Sequence, residues 1–211
     1  MKELIGKINR LREDPKIASI VKRRMKEFDE KQKNVNSEWF LELCFCLMTA
    51  NSGAQKVLDI CESLGGGPFI DCSAQELSVL LKDNGYRFYN KRAEYIVDAR
   101  EFSGDLKEKI KSFDNEFEAR KWLVDSIKGL GYKEASHLLR NVGYENVAIL
   151  DRHILRVLHE YGLIDEVPKS LGEKKYYEIE EKMSILAEKS GLSPAELDLY
   201  LWYIKTGKVL K

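Results

Sequence analysis

The segment Lys128-Gly129-Leu130-Gly131-Tyr132-Lys133 places a pair of glycines and a lysine where a helical pattern opens, and Asp151 follows eighteen residues past that lysine, in Ile149-Leu150-Asp151-Arg152-His153. Glycines let backbone N–H groups approach an anion, and a helix N-terminus adds a favourable dipole, so the turn suits a phosphate. On its own a Gly-x-Gly turn equally describes a corner where two helices pack closely. Lys133, at the start of the second helix, is either a solvated surface residue or a nucleophile. An amine that is partly desolvated beside positive helix-end charge gives up its proton more readily. Such an amine can attack the C1′ of a deoxynucleotide, release the base and leave an imine joining enzyme to sugar. Asp151 precedes Ile154, Leu155 and Leu158 and reads as a helix N-cap. Capping and chemistry are compatible, because a carboxylate held at a helix N-terminus stays ionised and rigid enough to stabilise positive charge on a sugar. His153 is placed either to reach a phosphate or to cover the helix surface.

The elements that must position these residues all carry helical signals. Ile17, Ile20, Val21, Met25 and Phe28 form one apolar stripe. Ser73-x-x-Glu76 and Ser170-x-x-Glu173 predict capping boxes, and Ser193-Pro194-Ala195-Glu196 adds a proline at the first helical position. Asn84-Gly85, Gly191 and Gly207 stand where helices should stop. The stretch from Trp39 to Ala50 is apolar on all sides apart from Glu42, which predicts a central buried helix leaving through the loop Thr49-Ala50-Asn51-Ser52-Gly53. No segment alternates as a strand does. The expected fold is all-α, with about ten helices by these signals.

Bulk properties bound the possibilities. The chain has 211 residues, 44% hydrophobic and 33% charged, as expected of a globular protein with one large domain or two small ones sharing a core. Its longest uncharged apolar run, Leu43 to Ala50, is far short of the ~20 residues that cross a membrane, and the start Met1-Lys2-Glu3 lacks the apolar stretch of a signal peptide. A cytoplasmic protein with no membrane partner is expected. The cysteines, Cys44, Cys46, Cys61 and Cys72, read as small hydrophobes rather than a disulfide framework. With 35 basic and 35 acidic residues there is no global field to attract nucleic acid, so any DNA contact must come from a local patch.

Gly129-Leu130-Gly131-Tyr132-Lys133 followed by Asp151 resembles the catalytic signature of the helix-hairpin-helix DNA glycosylases, and the likeness covers nearly the whole chain. The resemblance implies that Lys133 is the nucleophile and Asp151 its partner, with base excision followed by strand nicking through β-elimination. Endonuclease III-type relatives share this pair but usually carry four cysteines near the C-terminus for an iron–sulfur cluster; here no cysteine lies beyond Cys72. The ending Asp198-Leu199-Tyr200-Leu201-Trp202-Tyr203-Ile204-Lys205-Thr206-Gly207-Lys208-Val209-Leu210-Lys211 is similar to that of the small microbial 8-oxoguanine DNA glycosylases. That likeness implies that Trp202 lines a base pocket with Asp198 nearby, and that the terminal Lys211 helps recognise the oxidised purine. Arg87-Phe88-Tyr89-Asn90-Lys91-Arg92-Ala93-Glu94-Tyr95 resembles the family's aromatic and basic stretch, in which Phe88 would stack on a flipped base. Thr49-Ala50-Asn51 resembles the loop whose asparagine fills the gap left by an extruded nucleotide.

The family fold implied is two-lobed, with the active site between the lobes. Residues 1–105 would form a mostly N-terminal helical lobe, 106–165 the hairpin and catalytic region, and 166–211 the C-terminal helices that line the base pocket. Gly129, Gly131, His153 and Asn51 would contact DNA. The expected partner is double-stranded DNA containing oxidised guanine, met by a monomer. No metal or redox cofactor is expected, and a monovalent cation at the hairpin carbonyls is a family possibility. Two rivals remain: the same fold acting on an oxidised pyrimidine or alkylated purine, and a hairpin module that binds DNA without catalysis. Lys133 separates the latter, because a pure binder needs the glycines but no buried amine.

Overall fold

The structure is a computed structural model that describes residues 1–209. Lys211, expected at the base pocket, lies outside the described residues, as does Leu210. Among the described residues the elements are thirteen α-helices and one short 3-10 helix, with no strand: α1 Lys2–Glu13, α2 Pro15–Lys31, α3 Asn36–Thr49, α4 Ala54–Leu64, α5 Gly67–Asp71, α6 Ala74–Asp83, α7 Tyr89–Asp98, the 3-10 turn Ala99–Phe102, α8 Leu106–Lys111, α9 Glu116–Ser126, α10 Tyr132–Asn141, α11 Arg152–Glu160, α12 Glu173–Ser190 and α13 Pro194–Thr206. The all-α expectation holds. The helices beyond the expected ten include α5 and α8, of 5 and 6 residues, too short for an apolar period to register.

The caps follow the sequence in most places. Ser73 and Glu76 form the complete reciprocal box, Ser193 accepts the Glu196 N–H behind Pro194, and left-handed Gly191 and Gly207 close α12 and α13. Ser170 does not cap: α12 begins at Glu173 behind Gly172, which offers no side chain for the task. No helix is long and apolar enough to cross a membrane among the described residues.

The chain divides into two compact units. One comprises residues 1–32 and 139–211, the other residues 33–138. In the second unit α3 is the central element: every residue from Trp39 to Thr49 except Leu41 is buried, Glu42 included, and α4, α7 and α8 pack on it. An all-round apolar helix has no solvent face to offer, so its neighbours must cover it on every side. In the first unit the expected stripe of α2 is buried at Ile17, Val21 and Phe28, together with Leu199 and Tyr200 of α13. Val209 packs on this cluster after Gly207 turns the chain, so the tail is docked as far as it is described.

Candidate active site

The hairpin turn, residues 127–131, lies between α9 and α10 in the second unit. Ile127 and Leu130 are buried, Leu130 N donates to Ile127 O at 3.2 Å, and Lys128 and Gly129 face solvent. The apolar pair anchors the turn from below and leaves its glycine backbone on the surface. Gly129 has φ +84°, and a Cβ there would lie 2.2 Å from Cδ2 of Tyr95 on α7. Its lack of a side chain is therefore required twice, by backbone conformation and by the ring packed against it. Gly131 has an ordinary φ, and a Cβ there would meet only the flexible end of Glu134, at 3.1 Å. Ala135 N donates to Gly131 O at 2.9 Å in the first turn of α10, and the amides at such a helix N-terminus form an end that attracts anions. Beneath them, fully buried Arg120 of α9 donates from Nη1 to Ser136 Oγ of α10 at 3.0 Å and ties the two hairpin helices together.

Lys133 stands on the first turn of α10. Its side chain is 24% exposed, with Nζ 3.5 Å from Oε1 of Glu134, itself 14% exposed. The amine is thus partly desolvated and has a carboxylate as its immediate neighbour.

Asp151, in the first unit, is the N-cap of α11. Its Oδ1 accepts both the His153 and the Ile154 N–H at 2.8 Å, which leaves Oδ2 outside the cap. The segment leading to it is gripped by α12: Ala148 N donates to Glu180 Oε1 at 2.9 Å, the Tyr176 hydroxyl donates to Ala148 O at 2.6 Å, and Leu150 N donates to that hydroxyl at 3.3 Å. Buried Tyr176 and Glu180 therefore set the backbone that delivers Asp151. Sequence reasoning missed both, since their partners lie 26 to 32 residues away and leave no local pattern.

Other expected site residues meet within the first unit. The His153 and Trp202 rings lie 4.4 Å apart at 49°, joining α11 to α13, and the buried His153 Nδ1 has no hydrogen-bond partner among the described residues. Asp198 is buried, with Oδ2 accepting from Arg140 Nη1 at 2.6 Å, and the same guanidinium donates twice to Asn141 Oδ1. Asp198 is thus anchored in an ionic network under α13.

In the second unit, Phe88 sits at the N-cap position of α7, half-buried, with the Arg87 guanidinium 4.3 Å from its ring centroid and the Tyr86 ring edge-on at 6.4 Å. Burial pushes the Tyr86 phenol above its ordinary value, and Ser52 and Arg92 offset part of that effect. Asn51 leaves α3 with φ +59°, the only non-glycine residue among the described ones in the left-handed region, which asparagine tolerates better than most.

The family model described as Ogg-HhH, 8-oxoguanine DNA glycosylase, matches residues 21–192. The chain is 51% identical over 208 residues to the 8-oxoguanine DNA glycosylase/AP lyase of Methanocaldococcus jannaschii, covering 99% of each chain. It is 47% identical over 209 residues to the enzyme of the same name from Korarchaeum cryptofilum, covering 99% of this chain and 98% of that one. The crystal structure of the Methanocaldococcus jannaschii 8-oxoguanine glycosylase/lyase in complex with a 15mer DNA containing 8-oxoguanine superposes with a TM-score of 0.96, covering 99% of this chain and 100% of that one. The all-helical fold thus agrees with the comparisons, and the chain belongs to the helix-hairpin-helix 8-oxoguanine DNA glycosylase family.

Proposed function

We propose that this chain is a bifunctional repair enzyme that removes 8-oxoguanine from double-stranded DNA and nicks the resulting abasic site, with Lys133 as nucleophile and Asp151 as its partner. The observation that carries the reading is the likeness, over almost the whole chain, to a glycosylase/lyase held on 8-oxoguanine DNA. In this reading the Lys133 amine attacks C1′, the bond from C1′ to the base breaks, and the base leaves with a proton. The sugar ring opens to an imine linked to Lys133, a proton is lost from C2′, and the 3′-phosphate departs, which breaks the strand. Asp151 supports this through Oδ2, the oxygen outside the cap, by stabilising positive charge on the sugar and managing the lysine's protons.

Recognition is assigned to groups around this chemistry. The Gly129 and Gly131 amides take a backbone phosphate, the Leu130 amide being held by Ile127 O, and His153 on the first turn of α11 adds a second contact. Phe88 and Trp202 offer aromatic faces to the extruded base, Asp198 braces the base-recognition helix, and Lys211 adds a polar contact that tells 8-oxoguanine from guanine. Asn51 fills the vacated stack. Extrusion costs a few kcal/mol, which phosphate contacts and stacking offset. The enzyme works as a cytoplasmic monomer without a redox cofactor.

The test is incubation with duplexes that carry either 8-oxoguanine or guanine at one position. Free base and a nick at the lesion alone are expected. Release of an oxidised pyrimidine or alkylated purine in preference would move the substrate within the family, and binding without release would leave only a DNA-binding module.

A further inference from the structure

The loop around Asn51 and the hairpin turn at Gly129 belong to the same compact unit, and α7 touches both. Four carbonyls at and just past the end of α3 have identified donors. Cys46 O accepts from Thr49 Oγ1 at 2.8 Å, Met48 O from the Tyr86 hydroxyl at 2.6 Å, Thr49 O from Ser52 N at 3.1 Å, and Ala50 O from Arg92 Nη2 at 3.2 Å. A helix C-terminus carries partial negative charge, so a cation is favoured there.

Arg92 is an unusual choice for that task. It is only 8% exposed, and a buried guanidinium is costly unless its donors and charge are answered. One donor goes to Ala50 O, the Tyr86 hydroxyl is a further hydrogen-bonding neighbour of the guanidinium, the charge lies 5.6 Å from the Tyr95 ring centroid and 5.9 Å from that of Phe88, and Nε has no hydrogen-bond partner among the described residues. A long charged side chain has been drawn inside to hold the carbonyl just before Asn51. That residue has φ +59°, in the left-handed region, which asparagine adopts more readily than other non-glycine residues but which contacts on the preceding backbone help to hold. One helical turn beyond Arg92, Tyr95 presents its ring to the bare backbone of Gly129, and Lys128 Nζ lies 5.8 Å from the same ring centroid. Contacts therefore run unbroken from Ala50 O through Arg92 and Tyr95 to Gly129.

We propose that Arg92 is a positioning residue that sets the Asn51 loop and, through Tyr95, fixes its separation from the hairpin turn, so that gap filling by Asn51 and phosphate capture by the hairpin occur at one matched spacing. The inference rests on the reading of these two elements as DNA contacts. Small errors in such spacing are expensive, since a misplacement of about 1 Å can cost on the order of a hundredfold in rate.

A double-mutant cycle tests it. Single-turnover release of 8-oxoguanine from duplex DNA is measured for the wild type, Asn51→Ala, Arg92→Met and the double variant, with each rate normalised to the concentration of folded enzyme. Each single change is expected to slow release by about tenfold or more, and the double variant to be no slower than the slower single, because Arg92 acts through Asn51. Arg92→Lys, which keeps a donor for Ala50 O, should recover most of the rate. Defects that multiply would overturn the inference, as would a normal Arg92→Met beside an impaired Asn51→Ala. A normal Asn51→Ala would instead remove the reading of the loop as a DNA contact, and the inference with it. If Arg92→Met does not fold, the same cycle is run with Tyr95→Leu, which cuts the link to Gly129 and carries the same expectation and the same overturning results.

Discussion

Gly129 and Tyr95 touch through bare backbone: a methyl group added to Gly129 would sit 2.2 Å from Cδ2 of the ring. Adding it would therefore force either the ring or the hairpin turn to move, and would also strain a backbone held at φ +84°. Gly129→Ala is expected to lower stability by about 1–3 kcal/mol, the usual cost of overpacking, and to weaken DNA binding. Gly131→Ala meets only the carboxylate end of the Glu134 side chain, at 3.1 Å and at an ordinary φ, so a shift of a few tenths of an ångström relieves it and its stability should stay within about 0.5 kcal/mol of the wild type. Urea unfolding of the two variants side by side checks this; equal losses would contradict the distinction.

Asp151 makes both of its cap bonds with Oδ1. Asparagine caps helices as well as aspartate does, so Asp151→Asn should melt close to the wild type while base release falls by orders of magnitude. Asp151→Ala should lose activity and, in addition, about 0.5–2 kcal/mol of stability. A variant that melts lower yet turns over normally per folded molecule would show that the residue only caps.

The Arg140–Asp198 pair, with side chains 2% and 5% exposed, is a buried ion pair. Removing one partner of such a pair typically costs about 3–5 kcal/mol, so Asp198→Ala should show a large drop in the urea midpoint. Trp202→Ala is expected to be milder in stability but to narrow the preference for 8-oxoguanine over guanine, because Trp202 is only partly buried and packs at a tilt against His153. An Asp198→Ala enzyme as stable as the wild type would contradict the ionic anchor.

What the sequence made legible was local. The cap at Asp151, the box at Ser73, the stops at Gly191 and Gly207 and the all-round apolar α3 each announce themselves within a few residues. The nucleophile candidate was legible for the same reason, since Lys133 follows its turn directly. Hidden from the sequence were the groups that hold these pieces in place: Tyr95 against Gly129, Arg92 on Ala50 O, and Tyr176 with Glu180 on the backbone before Asp151. Each acts over tens of residues, and an aromatic or charged residue at helical spacing looks the same whether it braces a site or covers a surface. Ser170 shows the opposite error. It carries the capping pattern, but the helix begins only at Glu173, behind a glycine.

The central claim is that Lys133 attacks the sugar. Its most direct test is borohydride reduction during reaction with an 8-oxoguanine duplex, because reduction converts an imine into a permanent bond. The wild type should give a covalent protein–DNA complex whose cross-linked peptide contains Lys133, whereas Lys133→Gln should bind the same duplex with similar affinity yet give no complex, no released base and no nick. A trapped complex in Lys133→Gln, or cross-linking at another residue in the wild type, would contradict the account.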